Sequence, residues 1–199
     1  MNRNKVFLRS KRILVTGAGG FLGAKLINKL NCLGVECFGL ARSEFNILDG
    51  DYDALPEFDF IVHLAAYVDP VESWNAFELC LDVNVKGTKK ILDFAAKNEA
   101  DVIYINTYVY GEPDSLPISE SAVTKPNTPY SLSKLMGEQL CEFYSENHDI
   151  NVTSLRLFNM FGDTSNDKFL VNKILNQYLS GTNEIVVFSE HTYRDDVHV

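Results

Sequence analysis

The sequence predicts an α/β fold, doubly wound around a mostly parallel sheet. Short β-rich runs alternate with longer segments of helical period, and one run, residues 60–64, is apolar without interruption. Such alternation is typical of βαβ units, and an unbroken apolar strand is typical of a sheet covered on both faces. The 199 residues, 46% of them hydrophobic, have the composition of a soluble globular protein and allow one main domain.

The predicted elements follow the apolar pattern in chain order. A strand at residues 12–16 leads through a glycine-rich turn into a helix that begins at Phe21 and ends at Gly34. Further strands are predicted at residues 35–40, 45–47, 60–64, 101–106, 152–157 and 184–188. Further helices are predicted at residues 72–97, 129–147 and 168–179, the second with a proline in its first turn.

Charge and cysteine content exclude several classes of function. The net charge of −9 disfavours binding to nucleic-acid phosphate or to anionic lipid. The four cysteines and four histidines are scattered, so we expect neither a disulfide framework nor a metal site. The apolar run behind the basic residues 1–11 is too short for a signal peptide or a membrane span. We therefore expect a cytoplasmic protein with reduced thiols.

Three glycines, Gly17, Gly20 and Gly23, stand at intervals of three between the first strand and its helix. Glycine permits the sharp turn, the approach of a pyrophosphate to the backbone and close packing of helix on strand, while the helix N-terminus attracts the anion. Glycine-rich turns also serve as simple connectors. In this strand–turn–helix context the turn favours dinucleotide binding by a Rossmann sheet.

The residue after the second strand bears on the choice of cofactor. An acidic residue there would bind the adenosine ribose of NAD, but this chain has Arg42. A guanidinium suits a 2′-phosphate, so Arg42 favours NADP over NAD. The alternative is an exposed surface arginine.

Tyr130 is the only tyrosine followed four residues later by a lysine, Lys134, and both lie on one face of the predicted helix. A phenol titrates near pH 10, so acid–base work at neutral pH requires a lower pKa. A neighbouring ammonium and an oxidised nicotinamide would both stabilise the tyrosinate. Taken alone, the spacing is more typical of a solvated helix face than of a catalytic pair.

Several motifs occur in a fixed order with the glycine turn. Together they resemble the extended short-chain dehydrogenase/reductase family, in its branch of nucleotide-sugar epimerases, dehydratases and ketoreductases. Residues 155–162 are similar to the segment where that family begins its substrate lobe, and residues 193–199 to its diphosphate clamp. The motifs are Leu64-Ala65-Ala66, Asn84-Val85-Lys86-Gly87-Thr88, Val109-Tyr110-Gly111 and Tyr130-Ser131-Leu132-Ser133-Lys134.

The resemblance implies a role for each candidate residue. Tyr130 would be the acid–base group, and Lys134 would bind the nicotinamide ribose and lower the tyrosine pKa. The substrate, a nucleotide-diphosphate sugar, would contact Asn106, Asn159 and Arg194. The cofactor, NADP or NAD, would contact Gly17, Gly20, Phe21, Leu22 and Gly23 by its pyrophosphate, Asn46 and Ile47 by its adenine, and Leu64, Ala65 and Ala66 on its nicotinamide side. Each also has a structural alternative, such as packing for Ala65 and Ala66 or a surface charge for Arg194.

The chain departs from the family pattern at the group that polarises the substrate oxygen. The usual serine or threonine stands five residues before Gly111, where this chain has Asn106, with Thr107 one place later. Thr107 replaces it after a small change of register, or the Asn106 amide does, or the role is lost; we favour Thr107. The acidic pair of the dehydratases is replaced by Tyr108 and Val109, so elimination of water is the least favoured chemistry.

Length is a second departure, because the chain stops inside the last motif. We expect a Rossmann domain at residues 1–158 and only the start of a smaller substrate-binding lobe at residues 159–199, as in a truncated product or fragment. The short stretch at residues 41–44 predicts a shallow adenine pocket. The resemblance also implies a homodimer through helices at about residues 79–97 and 130–147. A non-catalytic dinucleotide-binding protein or remnant is the competing hypothesis.

Overall fold

The computed structural model describes residues 7–162, 170–182, 184–186 and 196–199. The chain forms two compact units, Met1–Arg156 and Leu157–Val199. The assignment of residues 1–158 to cofactor binding and of residues 159–199 to a substrate lobe stays a prediction.

The first unit is built on a five-stranded parallel sheet in the order β2-β1-β3-β4-β5. This arrangement confirms the predicted doubly wound fold. β1 has β2 on one side and β3 on the other, so the strand order reverses at β1. Ligands of such sheets bind outside the carboxyl ends of the strands at this reversal. The strands are β1 (Arg12–Thr16), β2 (Glu36–Leu40), β3 (Phe60–His63), β4 (Asp101–Asn106) and β5 (Val152–Arg156).

Helices and helical turns connect the strands. Gly34, in the left-handed conformation at φ 70°, ends the first helix as expected, and Thr128 caps the helix that begins at Pro129. The α-helices of the first unit are α1 (Phe21–Leu33), α2 (Phe77–Leu81), α3 (Thr88–Asn98) and α4 (Pro129–Asn147), with a π-helical segment (Asp82–Gly87) between α2 and α3 and 3₁₀ turns at Tyr52–Ala54 and Glu72–Trp74.

Both faces of the sheet are buried, as the unbroken apolar strand predicts. Side chains of β1 alternate between the faces, because successive residues of a strand point in opposite directions. Ile13 and Val15 pack with Leu30 on the α1 side. Leu14 packs on the opposite side in a cluster that includes Ile91.

Three sequence predictions of elements are wrong. Residues 45–47 form turns rather than a strand, because the Asn46 side chain accepts a hydrogen bond from Leu48 N and thereby satisfies the backbone locally. The single helix predicted at residues 72–97 is divided into 3₁₀, α, π and α segments. In the strand predicted at residues 184–188, residues 184–186 lie outside any strand, and residues 187 and 188 lie outside the described residues.

The described residues of the second unit include a parallel strand pair and a helix. β6 (Asn159–Phe161) pairs with β7 (Asp196–His198), and the rings of Phe161 and His198 meet edge to face at 5.2 Å. The helix predicted at residues 168–179 is found as α5 (Leu170–Leu179).

Candidate active site

The glycine turn packs tightly against its surroundings. Gly17 has φ 70°, and a Cβ there would lie 2.8 Å from Ala65 N. A Cβ on Gly23 would lie 2.2 Å from Gly17 O, so only glycine lets α1 approach the turn this closely. Gly20 caps α1 without a side-chain hydrogen bond, and its neighbour Gly19 is exposed. The first turn of α1, which contains Phe21 and Leu22, therefore receives no side-chain cap from Gly20.

The segment after β2 carries three predicted cofactor residues, Arg42, Asn46 and Ile47. Ala18 N donates to Leu40 O at 3.1 Å, which joins the turn to the end of β2, and Arg42 follows as an exposed side chain. Asn46 is also exposed. Ile47 differs, because it is buried in the core, 7% exposed, and would meet a Cβ on Gly87 at 2.5 Å.

The loop after β3 lies across the carboxyl end of β1. Leu64, Ala65 and Ala66 are each half-buried. Ala65 N donates to Thr16 Oγ1 at 3.1 Å, and Thr16 Oγ1 lies 2.7 Å from Nδ1 of His63. The predicted nicotinamide-side loop is thus fixed by side chains of two adjacent strands.

His63, which the sequence analysis did not select, is held by two threonine hydroxyls. Nε2 lies 3.0 Å from Thr88 Oγ1, whose own hydrogen is donated to Asn84 O at 2.7 Å. Thr88 must therefore accept a hydrogen from Nε2, and Thr16 must donate its hydrogen to Nδ1. Burial, with the nearby charge of Lys134, lowers the pKa of His63 to about 3, so the ring is neutral.

Asn84 joins the π-helical segment to the loop and to α4. Its Oδ1 accepts from Tyr67 N at 2.8 Å, and its Nδ2 donates to Tyr67 O at 3.1 Å and to Ser133 Oγ at 2.9 Å. Ser133 in turn donates to Tyr130 O at 2.8 Å. Asn84 is fully buried with every amide hydrogen satisfied, and π-helical bulges of this kind are frequent at functional sites.

Tyr130 and Lys134 occupy the first turns of α4, as predicted. Burial lowers the pKa of Lys134 to about 7, against the smaller opposing effects of Cys141 and Glu138. The Lys134 ammonium lies 4.1 Å from the centre of the Tyr104 ring. Burial raises the pKa of Tyr130.

The hydroxyl of Thr107 is near enough to that of Tyr130 to lower its pKa, in opposition to burial. In this structure Thr107 therefore has the effect on Tyr130 that was expected of Lys134. Asn106 is buried, and its amide donates to Glu138 Oε2 at 2.6 Å and accepts from Thr107 N at 2.8 Å.

A phenol and a buried amine thus lie on the first turns of α4, and a hydroxyl lies just beyond the carboxyl end of β4. Asn84 links α4 to the loop after β3, and that loop packs against the glycine turn. The model of the NAD dependent epimerase/dehydratase family matches residues 13–199. The chain belongs to this family.

Individual relatives agree with this assignment. A putative UDP-glucose 4-epimerase of Methanocaldococcus jannaschii is 29% identical over 94% of this chain and 69% of its own length. An NAD dependent NDP-hexosamine 5,6-dehydratase of tunicamycin biosynthesis is 26% identical, with a TM-score of 0.87 over 94% of this chain and 68% of that one. The structure of RMD from Pseudomonas aeruginosa complexed with NADPH is 26% identical, with a TM-score of 0.83 over 94% and 67%.

The chain is shorter than these members of the family. It spans from 52% to 69% of the length of the first three curated relatives that it matches. Two predicted substrate residues belong to the second unit. Asn159 is the first residue of β6 and is exposed, whereas Arg194 lies outside the described residues.

The structure brings together residues that the motifs singled out and others that they did not. His63, Glu138 and Arg156 were missed, although His63 directly precedes the quoted Leu64-Ala65-Ala66 and Glu138 lies one further turn along the face of Tyr130 and Lys134. Among the described residues, no three His, Cys, Asp or Glu side chains cluster as metal ligands. No helix in the described part of the chain is long and apolar enough to cross a membrane.

Proposed function

We propose that this protein is an NAD(P)-dependent nucleotide-sugar epimerase or ketoreductase. The observation that carries the proposal is the position of Tyr130 and Lys134 on the first turns of α4, with Thr107 just beyond the carboxyl end of β4 and near enough to Tyr130 to lower its pKa. The substrate class, a nucleotide-diphosphate sugar, is supported by the epimerase and dehydratase names of the relatives. Asn159 and Arg194 are the residues of this chain proposed to contact it.

The residues of the turn fit a dinucleotide. Gly17 and Gly23 keep the turn and α1 close together, because a Cβ at either position would collide with backbone atoms. The N-terminus of α1 has no side-chain cap. Such an end attracts a pyrophosphate through its N–H groups. Leu64, Ala65 and Ala66 would border the nicotinamide side, and Asn46 the adenine. Because Ile47 is buried, we propose that it packs beneath the residues that border the adenine.

Tyr130 would exchange the proton of the reacting sugar hydroxyl. A bound nicotinamide supplies the chemistry of hydride transfer at the same carbon. Thr107 donates a hydrogen bond that stabilises the tyrosinate, and it stands close enough to Tyr130 to contact the same substrate oxygen. Lys134, with a pKa of about 7, would hydrogen-bond a cofactor ribose. The ribose oxygen, as a hydrogen-bond acceptor, would favour the protonated form of the amine.

Loss of the phenol tests catalysis directly. In protein with wild-type Tyr130, we expect turnover of UDP-glucose or a related nucleotide sugar with NAD(P), and in Tyr130→Phe a loss of about 100-fold or more. Cofactor binding, measured by calorimetry, should be retained in the variant. Equal turnover in both proteins would remove Tyr130 from the mechanism, while binding without turnover in either would favour the non-catalytic alternative.

Epimerase and ketoreductase are separated by the fate of the hydride. An epimerase returns it to the sugar, so absorbance at the nicotinamide maximum shows no net change while the epimeric product accumulates. A ketoreductase consumes NADPH in proportion to product. We rank the two equally, and elimination of water below both.

Arg42 supports NADP as the cofactor. Its exposed guanidinium follows the end of β2, the place where a 2′-phosphate is bound in such sheets. Arg42→Ala should weaken NADPH binding by roughly tenfold or more through loss of a charge-assisted bond, and leave NADH binding unchanged. Lys29→Ala, an exposed cation on α1, is the matched control. An equal effect on both cofactors would contradict the assignment.

We also propose a homodimer in the cytoplasm. Exposed apolar side chains on α2 and α4, including Leu79 and Phe143 at 38% and 56% exposure, support association through these helices. The described cysteines are all free thiols, which fits a reducing compartment. Light scattering of wild type and Phe143→Glu measures the oligomeric state; a monomer in wild type would refute the dimer.

A further inference from the structure

A buried polar cluster lies where the ends of β4 and β5 meet α4. The Glu138 carboxylate accepts from Asn106 Nδ2 at 2.6 Å and from Arg156 Nε at 3.1 Å. Asn106 and Glu138 are 3% and 5% exposed. Arg156 also donates to the hydroxyl of Tyr110 and to the carbonyl oxygen of Glu120, each at 2.9 Å. Because Asn106 and Arg156, which donate to it, are themselves held by other hydrogen bonds, the Glu138 carboxylate has a fixed position and orientation.

The orientation of the Asn106 amide follows from its two partners. A carboxylate only accepts hydrogen bonds, so the NH₂ group must face Glu138. A backbone N–H only donates, so the amide oxygen must face Thr107 N, which lies 2.8 Å away. A flipped amide would lose both bonds. Glu138 therefore fixes the amide, and the amide fixes the peptide of Thr107.

Thr107 needs such support because it lies just beyond the sheet. Asn106 is the last residue of β4 and pairs with Arg156, the last residue of β5, so the ladder ends there. The Thr107 side chain is near enough to Tyr130 to lower the pKa of the phenol. A β-branched side chain has few rotamers, so a fixed backbone restricts where its hydroxyl can point.

We propose that Asn106 is a positioning residue, which with Glu138 holds the backbone of Thr107 so that the threonine hydroxyl meets the hydroxyl of Tyr130. The inference rests on the proposed role of Tyr130 in proton transfer. It also accounts for the amide at the position where the family resemblance leads one to expect a serine or threonine. The hydroxyl stands one residue further along, and the amide keeps it in place.

A double-mutant cycle on Tyr130 tests the coupling. The protein is labelled with 3-fluorotyrosine, the resonance of position 130 is assigned with Tyr130→Phe, and its titration is followed by ¹⁹F NMR without substrate. Thr107→Val removes the hydroxyl and should raise the pKa at position 130. Asn106→Ala should raise it by a similar amount, and the double variant by no more than the larger single change. Additive changes, or none in Asn106→Ala, would overturn the proposal.

A matched amide elsewhere controls for general loss of structure. Asn98 donates from Nδ2 to Phe94 O at 2.7 Å, at the end of α3 before β4 begins. Asn98→Ala should leave the titration at position 130 unchanged, and a shift equal to that of Asn106→Ala would also overturn the proposal. If Asn106→Ala folds poorly by circular dichroism, Asn106→Val, which suits the end of a strand and carries no hydroxyl or amide, takes its place in the cycle with the same expected outcome.

Turnover gives a second readout. Displacing the Thr107 hydroxyl should lower kcat by up to about 100-fold with a much smaller change in KM, because the contact with the reacting oxygen matters most as the proton is transferred. If the protein turns over no nucleotide sugar, the proposed function fails, but the NMR cycle still decides whether Asn106 positions Thr107. If KM in Asn106→Ala rises by as much as kcat falls, and the pKa at position 130 does not change, Asn106 has only a structural role.

Discussion

Replacing His63 tests whether a neutral imidazole holds the loop after β3, which begins with Leu64, Ala65 and Ala66. The ring is 1% exposed and lies between the hydroxyls of Thr16 and Thr88. Protonation at Nδ1 would place an N–H against the hydrogen that Thr16 now donates. Charge on His63 therefore opposes the folded state twice, through burial and through loss of this bond.

The magnitude follows from the lowered pKa. A histidine that titrates near 6.5 in the unfolded chain and at about 3 in the folded one contributes about 5 kcal/mol of acid sensitivity in all. The unfolded state binds the proton first, so stability is complete above pH 6.5 and falls as the pH is lowered towards 3. Between pH 7 and pH 5 the loss due to His63 amounts to about 2 kcal/mol.

Urea unfolding of wild type and His63→Gln at pH 7 and pH 5 measures this loss. Glutamine cannot take up the proton, so the stability advantage of wild type over the variant should shrink by about 2 kcal/mol from pH 7 to pH 5. His148→Gln, which removes an exposed histidine, should retain the acid sensitivity of wild type. An advantage that stays constant, or grows, towards pH 5 would refute a neutral, buried His63.

Further predictions concern the glycine turn and the buried ion pair. Gly23→Ala places a Cβ 2.2 Å from a backbone oxygen of the turn, so it should lower the free energy of unfolding by about 1–3 kcal/mol and abolish cofactor binding. In Gly19→Ala the new Cβ meets only a methyl group at 3.5 Å, so the fold should stay intact. Urea titration and calorimetry compare the two variants, and equal effects would contradict the packing of the turn. Glu138→Ala removes the carboxylate from the half-buried Arg156 and from the buried Asn106 amide, and should cost about 2–3 kcal/mol by urea unfolding, well above the effect of Lys97→Ala at an exposed pair.

Much of the fold could be predicted because its signals are local. A strand covered on both faces is mostly apolar, as residues 60–64 are apart from His63, and the turn that packs α1 against β1 tolerates no Cβ at Gly23. Gly34 and Pro129 mark helix ends through their own backbone preferences. The tyrosine–lysine spacing places both side chains on one face of any helix, so their proximity needed no tertiary information.

Other features depended on contacts between distant segments. No local pattern shows that Asn84 bridges Tyr67 and Ser133, which lie 17 residues before and 49 residues after it, or that the helix becomes π-helical there. Nor could the sequence show that Lys134 loses proton affinity through burial, since that depends on what packs around it.

The sequence by itself determined the parallel sheet, the glycine turn and the identity of the acid–base candidates, because backbone preference and hydrophobic period act over a few residues. Only the tertiary structure decided between Asn106 and Thr107. That choice depends on Glu138, 32 residues further on, whose buried carboxylate takes the amide and leaves the threonine hydroxyl to face Tyr130.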